Sequence, residues 1–171
     1  MRQNPKIRTL TMTALMAAVI FVVTYIVRIP MPIASGGYIN IGDTAVYVAA
    51  ALLGGPAGMV ASAVGSALAD LTAGFVVYII PTAVVKGLMG LVCGKLMERA
   101  GFPRFMVASA IGGAIMVAGY AAFDFLLFNV NQAIASLPFN GVQWVCGVAA
   151  AIAFYPAVVR IKKNLIKQER P

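Results

Sequence analysis

The chain has 171 residues, of which 61% are hydrophobic and 11% charged, and its net charge is +8. A soluble domain carries about 25% charged residues, so the composition excludes a water-soluble enzyme. The basic residues cluster at the edges of apolar runs with no aromatic interleaving on a polar face, which argues against nucleic acid as a partner.

Helix 1 is predicted over about 7–29, a retained membrane helix that follows a basic start. Pro30 and Pro32 close it, because a proline disfavours helix in the residue before it. Residues 31–40 read as a loop. A short helix 2 follows over about 41–53, and Gly54, Gly55 and Pro56 form a tight turn. Helices 3 and 4 are predicted over about 57–73 and 79–97, with a brief loop between them. Helix 5 spans about 105–128. Residues 129–140 read as a polar loop holding Pro138, and helix 6 spans about 141–159. The fold class is therefore an all-α integral membrane protein, a single six-helix bundle over residues 1–171. Helices 2 and 3 are short for a bilayer core that takes about 20 residues to cross, which points to tilt or to shelter within the bundle.

Orientation follows from Lys and Arg in short connections. Arg2, Lys6 and Arg8 precede helix 1. Lys95, Arg99 and Arg104 flank the connection between helices 4 and 5. Arg160, Lys162, Lys163, Lys167 and Arg170 follow helix 6. All share one side, and only Arg28 falls on the other, with Lys86 inside the membrane. Both termini are thus expected in the cytoplasm, and the localisation is the plasma membrane of a prokaryote.

An ionisable side chain inside a bilayer is costly and marks a functional candidate. Asp43, Asp70, Lys86 and Asp124 are four such groups, and the helix assignment puts all of them in the outer half. Asn40, Tyr47, Tyr120, Asn131, Gln143 and Trp144 join them at that depth. Together they suggest an outward-facing polar pocket with aromatic walls, suited to a small ring-containing solute. The structural alternatives are that Lys86 simply pairs with Asp70 across helices 3 and 4, and that Tyr78 and Trp144 are interface anchors. Ala14 and Ala18 form a small-residue stripe on helix 1. Such stripes serve packing within a bundle or docking to a partner membrane protein.

Histidine is absent, and Cys93 and Cys146 have no partner at metal-ligand spacing, so neither a metal nor a cofactor is expected. Hydrolase and metalloprotease motifs are missing. The stretch from Gly90 to Lys95 is a poor phosphate loop, because Leu96 stands where Ser or Thr is needed.

Three strings resemble a known family. They are Gly36-Gly37-Tyr38-Ile39-Asn40-Ile41-Gly42-Asp43, Gly65-Ser66-Ala67-Leu68-Ala69-Asp70, and the run from Pro81 through Lys86 to Gly90. In this order they resemble the substrate-binding S component of an energy-coupling-factor (ECF) vitamin transporter, of the riboflavin/hydroxymethylpyrimidine type. The resemblance covers about residues 9–159. It implies capture of a vitamin or precursor outside and release inside. A membrane coupling (T) subunit and two cytoplasmic ATPase subunits would supply the energy. It also implies docking through Ala14 and Ala18. Hydroxymethylpyrimidine or pyridoxine is the favoured ligand, with riboflavin open. A self-sufficient channel or secondary carrier is the competing reading.

Overall fold

The structure, a computed structural model, describes residues 4–33, 37–99 and 101–169. Arg2, Gly36, Arg170 and the side chain of Lys167 lie outside the described set. The described chain forms six helices: α1 (Pro5–Ile26), α2 (Gly42–Leu53), α3 (Gly55–Ala73), α4 (Ile79–Leu96), α5 (Phe102–Leu127) and α6 (Val130–Glu169). Residues Val76–Tyr78 form a single 3-10 turn before α4. Four segments are long and apolar enough to cross a membrane: Pro5–Ile26, Val76–Leu96, Phe102–Leu127 and Val130–Leu165. The chain is an all-helical membrane protein, and large apolar side chains such as Leu15, Val22, Ile80 and Leu126 face outward as lipid requires.

The short α2 is explained by its position. Its 12 residues are too few to span a bilayer core, which takes about 20. Nine of those 12 are buried, including Asp43, Val46, Tyr47, Ala49 and Ala50. The helix is a plug wrapped by α1, α3, α4 and α6. Its neighbours approach closely through glycine. A side chain at Gly94 would lie 2.5 Å from the backbone of Gly54 and Gly55, and one at Gly90 would meet the Gly58 carbonyl at 2.5 Å. Packing at backbone distance is what drives helix association where the solvent is itself apolar.

Several sequence expectations change. Helix 1 ends at Ile26 rather than near residue 29, and the following loop is partly ordered as a ribbon. Strands β1 (Arg28–Pro30) and β2 (Tyr38–Asn40) pair antiparallel, with Arg28 opposite Asn40 and Pro30 opposite Tyr38. Pro30 and Pro32 hold the preceding residues extended, so the chain leaves the helix early and turns back on itself. The second change is larger. Residues 129–140 are not a loop, because α6 begins at Val130 and runs through both Pro138 and Pro156. The Asn129 side chain accepts from the Gln132 backbone N–H at 2.9 Å, a cap that starts the helix. α6 also runs past residue 159, and α5 starts at Phe102 with Pro103 in its first turn.

Candidate functional site

One end of the bundle gathers the C-terminal ends of α1, α3 and α5 with the N-terminal parts of α2, α4 and α6. A half-open cavity lies among them, with about 500 Å³ of space that is partly open to solvent. Helical spacing explains its walls. Residues four apart share a face, so Ser66 and Asp70 line the cavity from α3, and Tyr120 and Asp124 line it from α5. Tyr78, Thr82 and Lys86 form a matching row along the start of α4. α6 adds Asn140 and Gln143, and the ribbon adds Tyr38 and Asn40. Thr24, Met31, Gly37 and Phe75 close the rim.

Beneath this cavity is a buried charge pair. The Lys86 ammonium contacts Asp43 Oδ1, and the two residues are 2% and 0% exposed. Lys86 therefore pairs with Asp43, not with Asp70 as the sequence suggested. Asp70 is bonded elsewhere, and α2 sits inside the bundle where its first turn reaches α4. Gln143 Nε2 donates to Asp43 Oδ2 at 2.9 Å. Its Oε1 accepts from the Asn40 backbone N–H at 2.9 Å, and Asn40 Oδ1 accepts from the Gly42 N–H at 2.8 Å. One chain of polar contacts thus ties the ribbon to α2, α4 and α6. The Lys86 ammonium also stands 5.4 Å from the centre of the Tyr120 ring.

The other two carboxylates are each held by a tyrosine. Tyr38 donates its hydroxyl to Asp70 Oδ1, and Tyr78 donates to Asp124 Oδ1 at 2.7 Å. Asp70 is 4% exposed, and its Oδ2 has no hydrogen-bond partner. Thr82 and Tyr120 share a hydroxyl contact of 2.9 Å. Around these groups Tyr38 packs on Phe75 at 5.0 Å between ring centres, and Tyr78 lies 6.4 Å from Tyr120. The cavity therefore presents an unmatched acceptor, an ammonium and aromatic faces to whatever enters it.

Of the residues singled out from sequence, Asn40, Asp70, Lys86, Tyr120, Asp124 and Gln143 line the cavity. Asp43 lies directly behind Lys86. Three others stand apart from the lining. Tyr47 is one turn deeper on α2 and fully buried, its hydroxyl without a partner. Trp144 follows Gln143 by one residue, so it faces elsewhere and fills the space left by Gly113 of α5. Asn131 is exposed and lies nine residues before Asn140, roughly 14 Å farther along α6. Thr82, Ser66 and Asn140 belong to the lining but were not among the candidates. Four-residue spacing from Lys86 and Asp70 would have found the first two. Ala14 and Ala18 both face outward on α1. Among the described residues no group of three or more His, Cys, Asp or Glu could hold a metal ion.

Comparison with known proteins gives the following. The family model described as "ECF-type riboflavin transporter, S component" matches residues 4–162. A Pyrococcus woesei protein described as "Uncharacterized protein in gap 3'region" is 37% identical over 128 residues, 74% of this chain and 85% of that one. The "Thiamine precursor transporter HmpT" of Lactococcus lactis subsp. cremoris (strain MG1363) is 29% identical over 157 residues, covering 92% and 91% of the two chains. The crystal structure of an S-component for biotin from an ECF-type ABC transporter superposes with a TM-score of 0.67, at 23% identity and 95% coverage of both chains. That likeness concerns the fold.

Proposed function

Since the chain belongs to the family of ECF-type riboflavin transporter S components, we propose that it captures a small vitamin precursor from outside the cell and delivers it inward with a separate energising module. A membrane T subunit and two cytoplasmic ATPase subunits make up that module. The six helices act as one domain, with both termini in the cytoplasm of a prokaryote and the cavity facing out.

The favoured ligand is an aminopyrimidine such as hydroxymethylpyrimidine. The observation that carries this choice is the buried, unpartnered Asp70 Oδ2 in the cavity wall. A buried acceptor left unpaired costs about 1–3 kcal/mol, and an exocyclic amino group is a donor that removes this cost. Tyr38, Phe75, Tyr78 and Tyr120 supply ring faces for stacking. The relative described as a thiamine precursor transporter points the same way.

The test is isothermal titration of the purified full chain with hydroxymethylpyrimidine, pyridoxine and riboflavin in parallel. Tight binding of the pyrimidine is expected, with Asp70→Asn weakening it at least about tenfold. If a folded preparation binds none of the three, the capture reading fails.

A further inference from the structure

We infer that the cavity sorts ligands by charge: it takes a neutral or protonated ring compound and refuses the same ring once a phosphate or carboxylate is attached. This inference deepens the capture reading above and rests on it.

The charged residues in the cavity lining are Asp70, Lys86 and Asp124. An anionic ligand would look to the lysine, but that ammonium is already paired with Asp43. Asp43 is fully buried, and its second oxygen accepts from Gln143. It cannot release Lys86 without leaving a buried charge unpaired. Asp70 and Asp124 therefore set the sign of the cavity.

The tyrosines bonded to these two carboxylates are neutral donors. They satisfy one oxygen on each without cancelling its charge. Arg28 is the remaining nearby cation. It stands over Tyr25 at 4.2 Å and over Tyr38 at 5.7 Å and is not part of the lining. α6 contributes the neutral amides of Asn140 and Gln143. Among the described residues, Lys86 is the one lining cation, and its charge is already matched by Asp43. A phosphate or carboxylate would meet two like charges in a poorly screened site, where like-charge contact is strongly unfavourable. An N–H donor meets Asp70 Oδ2 instead.

Binding of the full chain is measured for two pairs: hydroxymethylpyrimidine with its phosphate monoester, and riboflavin with flavin mononucleotide. Whichever unphosphorylated compound binds, its ester is expected to bind at least about 100-fold more weakly. In Asp70→Asn that ratio should shrink to about tenfold or less. Asp124→Asn, read the same way, keeps the test open if the first variant does not fold. An ester that binds wild type within about tenfold of its parent overturns charge sorting and leaves vitamin capture standing. Binding of the flavin but not the pyrimidine overturns the ligand proposed above, and the flavin pair then decides the charge question. Failure of all four compounds and of pyridoxine to bind folded protein overturns the capture reading, and this inference with it; if pyridoxine alone binds, pyridoxine and its phosphate decide the charge question.

Discussion

Replacing Lys86 by methionine keeps the length of the side chain and removes its charge. Asp43, 0% exposed, is then left with the Gln143 amide as its partner among the described residues. Removing one member of a buried ion pair costs about 3–5 kcal/mol, because the other charge stays buried without compensation. For a chain of this size each kcal/mol corresponds to roughly 2–4 °C, so the melting temperature should fall by roughly 6–20 °C. The double variant Asp43→Asn/Lys86→Met removes both charges, and the oxygen of the introduced amide still accepts from Gln143. Most of the loss should return, since replacing a whole buried pair is often neutral. Unfolding in detergent can be followed through the fluorescence of Trp144, the one tryptophan. If the single variant melts with the wild type, or the double variant melts with the single, the pair does not carry the weight assigned to it.

Leucine at Ala14 or Ala18 adds bulk to an outward face of α1, so ligand affinity should stay within about twofold while energised uptake in liposomes is abolished; lost affinity would mean that this face is core. Gly94→Val forces a side chain into the backbone of Gly54 and Gly55, and overpacking of this kind should cost about 1–3 kcal/mol in denaturant unfolding. Gln143→Leu removes the acceptor of the Asn40 N–H and a donor to Asp43; amide exchange at residues 38–40 should quicken, and unchanged exchange would show that the ribbon is held by other contacts. In a Cys146→Ala background, an impermeant maleimide applied to intact cells should label Asn129→Cys and not Glu98→Cys. The reverse pattern would invert the proposed orientation.

Where apolar runs were long and closed by glycine or proline, the helices were legible from the sequence. Gly54 to Pro56 marks the junction of α2 and α3 because no residue but glycine comfortably takes the positive φ found at Gly54. Residues 129–140 misled because polar residues and Pro138 mimic a loop. In α6 that stretch buries Gln132, Ser136 and Asn140 against the bundle, so its polarity faces inward rather than to water. The ribbon was invisible because three-residue strands carry no usable alternation. The depth of the charged residues could be read from their distance to helix ends. Their pairing could not, because helices 3 and 4 are neighbours in sequence, whereas the partner of Lys86 comes from a helix threaded through the middle. Tyr47 and Trp144 were placed by depth alone. Which way a side chain points around α2 or α6 depends on the rotation of the helix, which packing sets.

The bundle settles its intramembrane charges unequally, and under the proposed function that inequality marks where the ligand binds. Asp43 is matched on both oxygens, by Lys86 and Gln143. Asp70 is matched on Oδ1 by Tyr38 and has no partner within the protein on Oδ2, in the wall of a half-open cavity. Thr82 lines the same cavity, and its hydroxyl contacts that of Tyr120 at 2.9 Å. In the capture reading, a ligand donor would give Asp70 Oδ2 the partner it lacks within the protein. In that reading, affinity would draw on this open acceptor together with the aromatic faces of the lining. A relative could take a different ring by changing which lining group is left unmatched, with the Asp43–Lys86–Gln143 base kept as it is.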